Sequence, residues 1–234
     1  SIEPSLTGEY YGGFYCPGDA TGDIHKFTTG LAKATEKYGV KYLFGMEVVN
    51  VEHTANGVNI QYHSSVENME GGSVAVEQLS ADAVVICGGV GSYQLANQLG
   101  DRVNVYPVKG YSITVQLDDE KSINGAPWVS LLDESAKIVT SRLGANRLRI
   151  AGTAEFNGYN RDIRSDRIQP LTDWVNKNFD ISTEHCIPWA GLRPMMPNMM
   201  PVVKRGKRER VFYNTGHGHL IGPRSQHQYL QHQL

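Results

Sequence analysis

The sequence predicts an α/β part made of residues 1–102 and 186–220, interrupted at 103–185 by an α+β part built on an antiparallel sheet. Three observations carry this expectation. In "ADAVVICGGVGSYQLANQLG" a continuous apolar run, Ala83 to Cys87, stops in Gly88-Gly89 and Gly91 and then turns amphipathic from about Ser92. That is the pattern of a buried parallel strand leading through a tight turn into a helix. From Val103 the texture changes to alternating runs, "VNVYPVKGYSITVQL", "WVSLLDE" and "KIVTSRLGANRLRIAGTAEF", with Gly144-Ala145-Asn146 separating the last two strands. Finally "RVFYNTGHGHL" reads as a strand ending in a Gly/His turn, a return to the first part after the sheet block.

The elements follow in order. "GGFYCPGDATGDIHKFTTGLAKATEKYGV" moves from a turn-rich stretch into apolar positions Ile24, Phe27, Leu31 and Ala34, so the spacing predicts a helix over 24–38, with Gly39 as its stop. Two strand-like runs, "KYLFGMEVVNVEHT" and "GVNIQYHSS", flank Asn56-Gly57, a strong hairpin signal. The polar "VENMEGGSVAVEQ" reads as an insert before the third strand. Residues 165–179 predict a helix, with Pro170 as a kink or second start. "CIPWAGLRPMMPNMMPVV", dense in Pro and Met, reads as irregular, and 221–234 as an irregular tail that matches no core pattern.

With 234 residues and 40% hydrophobic content, the chain can bury a real core. A net charge of −2 with both signs dispersed gives no field for nucleic acid. There is no run long enough to span a membrane, and "SIEPSLTGEY" lacks the features of a signal peptide. Cys16, Cys87 and Cys186 are widely spaced, which suggests neither a disulfide framework nor a zinc knuckle and makes a reducing, cytoplasmic setting the default. His217 and His219, with His227 and His232 further on, raise a metal reading, but no carboxylate or cysteine joins them at a credible spacing, so no metal site is expected. The glycines after Cys87 suit backbone approach to a phosphate or ribose, and equally a tight turn with nothing bound.

Five motifs in order, "DATGDIHKFTTGLAKATEKYGVKY", "VYPVKGYSITV", "LLDESAKIVTSRLGANRLRIAGTAEFNGYN", "GLRPMMPNMMPVV" and "NTGHGHL", resemble the FAD-dependent D-amino acid dehydrogenases of the D-amino acid oxidase, glycine oxidase and sarcosine oxidase group. The resemblance runs from about residue 9 to residue 220. It implies a glutathione-reductase-like Rossmann domain for FAD plus a substrate domain, and oxidative deamination of a D-amino acid to the 2-oxo acid. Electrons would pass to a quinone or another acceptor, in the cytoplasm or at the inner face of the membrane. Two departures accompany it: no GxGxxG is present, since "YYGGFY" and "ICGGVGS" do not fit, and the sequence diverges after Leu220. The FAD domain is therefore expected to be incomplete at its N-terminus. Its uncovered apolar surface and sheet edges would be met by self-association or a partner chain. The alternative is a non-catalytic ligand-binding or interaction module of the same descent.

The resemblance also proposes site residues. Arg193 in "GLRP" is the candidate clamp for the substrate carboxylate, because a guanidinium fork matches two oxygens. Tyr111 and Lys109 in "KGYS" are candidates for the same pocket, and Met195, Met196, Met199 and Met200 for its wall or for ordinary packing. Val48 matches the position whose backbone meets the adenine, and Gly88 and Gly89 a second nucleotide-contacting strand end. Gly216, His217, Gly218, His219 and Leu220 would border the isoalloxazine ring, the glycines admitting backbone close to it and free N–H groups stabilising its reduced form.

Overall fold

The computed structural model describes residues 2–65 and 75–218. The chain forms two compact units, one from the residues up to Phe27 with Val108–Leu192, the other from Thr28–Pro107 with the chain from Arg193 onward. In chain order the elements are α1 (Ile24–Glu36), β1 (Met46–His53), β2 (Val58–Ser64), β3 (Glu77–Ala81), β4 (Val84–Ile86), a 3-10 turn (Gly89–Gly91) and α2 (Ser92–Gln98). Then come β5 (Tyr106–Gln116), α3 (Glu120–Gly125), β6 (Leu132–Asp133), β7 (Ile138–Arg142), β8 (Arg147–Glu155), α4 (Ser165–Asn178), β9 (Ile187–Met195), β10 (Val202–Arg205) and β11 (Val211–Thr215).

The first unit is a five-stranded sheet in the order β6-β7-β8-β5-β9. On β5 and β8 the period-two alternation turns Ile113, Val115, Leu148 and Ile150 to one face, with Ile113 opposite Ile150 and Val115 opposite Leu148. Leu171 and Val175 of α4 are fully buried in the same core, together with Phe179. Pro170 lies inside α4, where it removes one backbone hydrogen bond without ending the helix.

Residues 2–27, read from sequence as part of the α/β portion, cluster instead with this sheet. The Glu3 carboxylate accepts from the backbone N–H groups of Trp128 (2.8 Å) and Val129 (2.9 Å), and Asp23 pairs with Arg147 at 3.0 Å. These long-range polar contacts leave no trace in local sequence pattern.

The second unit holds an antiparallel sheet, β1-β2-β3, and a second sheet, β10-β11-β4, in which β11 and β4 run parallel with Tyr213 opposite Ile86. Val51, Val58, Ile86, Ala96, Leu99, Val103, Val105, Val211 and Tyr213 make its core. Asp101 ties the connections together, its carboxylate accepting from the Tyr213 hydroxyl at 2.8 Å and from the Lys207 N–H at 3.0 Å. Two segments differ from expectation. The stretch read as irregular contains β9 and the start of β10; Pro188 and Pro194 are tolerated because β9 is an edge strand. A further strand, β3, begins at Glu77 and Gln78, the last two residues of the stretch read as a polar insert, and its residues are mostly exposed and so show no apolar alternation.

The helix α1 buries no residue, and Phe27 and Leu31 stay about half exposed. Among the described residues no helix is long and apolar enough to cross a membrane. Cys16, Cys87 and Cys186 are free thiols. The tail, 221–234, lies outside the described residues. Because Leu148 and Leu171 fill the same close-packed core, Leu148→Ala or Leu171→Ala should each cost about 2–5 kcal/mol, read from the midpoint of urea unfolding followed by circular dichroism.

Candidate functional site

Parallel pairing places the C-terminal ends of β4 and β11 side by side, the place where open α/β sheets bind ligands. The two ends carry the two glycine turns singled out in the sequence. Gly88 leads into the 3-10 turn, and Gly89 takes φ +54, a left-handed conformation suited to glycine. No atom would meet a Cβ at Gly89 within 4 Å, so packing does not fill the space beside this backbone. A hydroxyl pair joins the turns: Ser92 Oγ and Thr215 Oγ1 lie 2.8 Å apart, both buried, and Thr215 Oγ1 donates to the Gly89 carbonyl at 3.3 Å.

The β11 turn is packed more tightly than its sequence implied. A Cβ at Gly216 would fall 2.6 Å from Met196 Cγ, and one at Gly218 would fall 2.7 Å from the Pro194 carbonyl. The Gly218 N–H donates to that carbonyl at 3.0 Å. These glycines are thus required by the 194–196 segment, and the Gly218 N–H is committed within the chain rather than held for a ligand. The same clip places Arg193, whose side chain is exposed, beside the turn. Burial pushes the His217 imidazole below its ordinary pKa, so it is neutral at pH 7. His219 and Leu220 lie outside the described residues.

Val48 stands on β1 opposite Tyr62, just before a bulge between Val48 and Asn50. The Gln98 side chain secures that bulge, donating to the Val49 carbonyl at 2.9 Å and accepting from the Val51 N–H at 3.2 Å. The helix α2 thus starts from the Gly89 turn and, through Gln98 at its end, reaches the bulge that follows Val48. These residues suit a nucleotide in one respect, the bare Gly89 backbone next to a strand end. Among the described residues no cluster of His, Cys, Asp or Glu could hold a metal.

Lys109 and Tyr111 belong to the sheet unit, where both are buried. The Lys109 ammonium donates to Asn160 Oδ1 at 2.9 Å and to the Asp162 carbonyl, and lies 3.4 Å from Glu155 Oε1. The Tyr111 hydroxyl donates to Glu155 Oε1 at 2.8 Å, while Arg167 Nε reaches Glu155 Oε2 at 3.2 Å. In this arrangement the one proton that Tyr111 can donate goes to Glu155 and not to a ligand. The sequence reading missed Glu155, Asn160, Ser92 and Thr215. A carboxylate closing an apolar strand in "GTAEF" is the one signal that could have marked Glu155; the others carry none.

The Tyr111 hydroxyl is the chief cause that holds the Glu155 carboxyl down to about 2; burial opposes it, and Asn157 and Lys109 support it. A lowered folded-state pKa means that this group's stabilisation is complete above its ordinary value of 4.5 and is lost as pH falls from 4.5 toward 2. Glu155→Gln should therefore lower the thermal midpoint at pH 7 and flatten its fall across that acid window, measured by circular dichroism melts at stepped pH.

The comparisons with known proteins agree with this architecture. The family described as FAD dependent oxidoreductase, DAO, matches residues 1–221. The D-amino acid dehydrogenase 3 of Mesorhizobium japonicum is 56% identical over 220 residues, covering 94% of this chain and 51% of the relative. The D-amino acid dehydrogenase of Dechloromonas aromatica is 41% identical over 225 residues, with 94% and 51% covered. Among solved structures, glycine oxidase from Geobacillus kaustophilus superposes with a TM-score of 0.64 at 21% identity, covering 81% of this chain and 47% of that one. L-Proline dehydrogenase from P. horikoshii gives 0.66 at 14%, covering 84% and 50%. At such identities these structures show the fold alone. The chain spans about half the length of the curated relatives it matches. With the fold, the order of motifs and a match over 1–221 in agreement, the chain belongs to the DAO family of FAD-dependent oxidoreductases.

Proposed function

We propose that this chain contributes to an FAD-dependent D-amino acid dehydrogenase that deaminates a D-amino acid oxidatively to its 2-oxo acid, with a quinone or other acceptor taking the electrons. The observation that carries the reading is the junction at the ends of β4 and β11, where the Ser92–Thr215 pair joins the Gly88-Gly89 turn to the Gly216–Gly218 turn and Pro194 clips Arg193 beside it. The relatives supply the substrate class through their names.

In this reading the unit of residues 28–107 and the chain from 193 binds the nucleotide, and the unit with the five-stranded sheet is the substrate domain. Val48, Gly88 and Gly89 hold the nucleotide, and the 216–218 turn borders the flavin ring. Bound FAD supplies the acceptor for the hydride that leaves the substrate Cα. Arg193 receives the carboxylate through a two-pronged, charge-assisted contact and so fixes which Cα–H is presented. His217, neutral at pH 7, adds no charge that would oppose the ammonium substrate. Lys109 and Tyr111 act through Glu155, holding the sheet and the 156–163 loop in shape. The half-exposed Phe27 and Leu31 of α1, and Val85 on the edge strand β4, favour a second reading as an interaction module covered by another copy or a partner chain.

A titration of the chain with FAD, followed by quenching of flavin fluorescence, tests the proposal. Saturable binding on the order of 10 μM or tighter, and dye reduction by D- but not L-amino acids, is the expected result. Arg193→Gln should then lower kcat/KM about 100-fold with FAD affinity unchanged. Absence of FAD binding in that range would overturn the proposal for this chain and leave the interaction module.

A further inference from the structure

The chain as a whole is close to electrical balance, but the hairpin formed by β10 and β11 is not. Residues 204–210, "KRGKRER", set Lys204, Arg205, Lys207, Arg208 and Arg210 against one carboxylate, Glu209, a net charge of +4 in a chain whose total is −2. All five cations are exposed. Among the described residues no ion pair joins any of them to a carboxylate. Arg102, on the loop between α2 and β5, adds a sixth exposed cation, its Nε donating to Asn104 Oδ1 at 2.9 Å. That loop touches the hairpin through Asp101, which accepts from the Lys207 N–H.

The cations are held in place. The Gly206 N–H donates to the Val211 carbonyl at 2.8 Å, and a Cβ at Gly206 would fall 2.5 Å from Asp101 Oδ2, so glycine is what lets that carboxylate reach the turn. Lys207 Nζ donates to the Gly100 carbonyl at 3.0 Å, Arg210 to the Asp82 carbonyl at 3.4 Å, and the Arg205 guanidinium lies 5.5 Å from the Phe212 ring centroid. Carbonyls and a ring orient these cations without neutralising them. Arg210 also takes φ +66, a left-handed conformation that disfavours any residue with a Cβ. The hairpin thus keeps like charges together against their mutual repulsion, and an anionic partner would relieve that repulsion.

From this patch we infer that the β10–β11 hairpin, with Arg102, is a docking surface for an acidic segment of a partner protein, an extended stretch rich in Asp and Glu. Four of the six cations, Arg102, Arg205, Arg208 and Arg210, are arginines, whose planar fork meets a carboxylate with two parallel hydrogen bonds. Residues 204–210 carry no large apolar side chain that could enter a bilayer, and cations in fixed positions suit a defined set of carboxylates better than a fluid layer of headgroups. The hairpin lies at the end of β11 opposite the Gly216–Gly218 turn, about 17 Å away along the strand, so a partner seated there leaves the glycine turns open. The surface goes beyond the flavin reading and depends on neither FAD nor Arg193.

The test uses a fluorescein-labelled octaglutamate peptide as the probe and octaglutamine as its uncharged counterpart, added to the FAD-free full chain and followed by fluorescence anisotropy at pH 7. Octaglutamate should bind saturably, on the order of 10 μM at about 0.1 M salt, and about tenfold more weakly at about 0.5 M, where the charges are screened. Octaglutamine should give no saturable change. Arg208→Glu should weaken octaglutamate about tenfold, and Arg208→Lys only about twofold, because the point charge remains. Arg208 has no hydrogen bond or ion pair among the described residues, so these variants leave the hairpin's own ties intact, and circular dichroism confirms that they fold. Lys121→Gln, which removes an exposed cation from the other unit, should titrate like the parent. Equal affinity for the two peptides, an unchanged titration in Arg208→Glu, or no saturable binding of octaglutamate would overturn the inference. So would sedimentation with phosphatidylglycerol vesicles, or capture of duplex DNA, that Arg208→Glu abolishes, since the surface would then serve a different class of partner.

Discussion

Withdrawing a lysine ammonium from water costs several kcal/mol unless its donors are met, and Lys109, at 0% exposure, meets its donors on Asn160, Asp162 and Glu155. The arrangement of the sheet unit follows from that demand. Glu155 must remain ionised to balance the charge, so its oxygens collect Tyr111, Asn157 and Arg167. Because Lys109 and Tyr111 lie on β5 and Glu155 closes β8, the cluster pins the end of the strand pair whose other positions form the apolar core. Asn160 and Asp162 extend the same tie into the loop before α4. A buried pair of this kind is weak evidence for net stability, but losing either partner strands a charge, so the cluster fixes which arrangement the loop adopts.

The second unit solves a different problem, the joining of two strand ends that are far apart in sequence. The carboxylate of Asp101 draws Tyr213 and Lys207 together behind the parallel pair, and the Ser92–Thr215 hydroxyls do the same at the C-terminal ends of its strands. Glycine then serves two separate purposes in the two turns. At Gly89 it provides a left-handed backbone with open space beside it; at Gly216 and Gly218 it lets one segment lie against Met196 and Pro194. Turns that look alike in composition are thus unlike in what they offer a ligand.

How much of this was legible depended on whether the signal was local. The helix at 24–36, the Asn56-Gly57 hairpin, the strand before Gly88 and the helix at 165–178 come from spacing and turn chemistry, and they stand in the structure within two residues or so. β9 and β10 did not show, because an edge strand tolerates prolines that would break a central one. β3 did not show because an exposed edge needs no apolar alternation.

For the candidate site the division is sharper. The sequence by itself determined the family, the α/β and α+β character, and the residue types available for chemistry, since these rest on motif order and hydrophobic period. Only the tertiary structure decided that Lys109 and Tyr111 are occupied by Glu155, that residues 2–27 join the sheet, and that the basic hairpin at 204–210 is tied to Asp101. The physical reason is that a hydrogen bond or ring contact between residues tens of positions apart is settled by which strands become neighbours, and no local pattern records that choice.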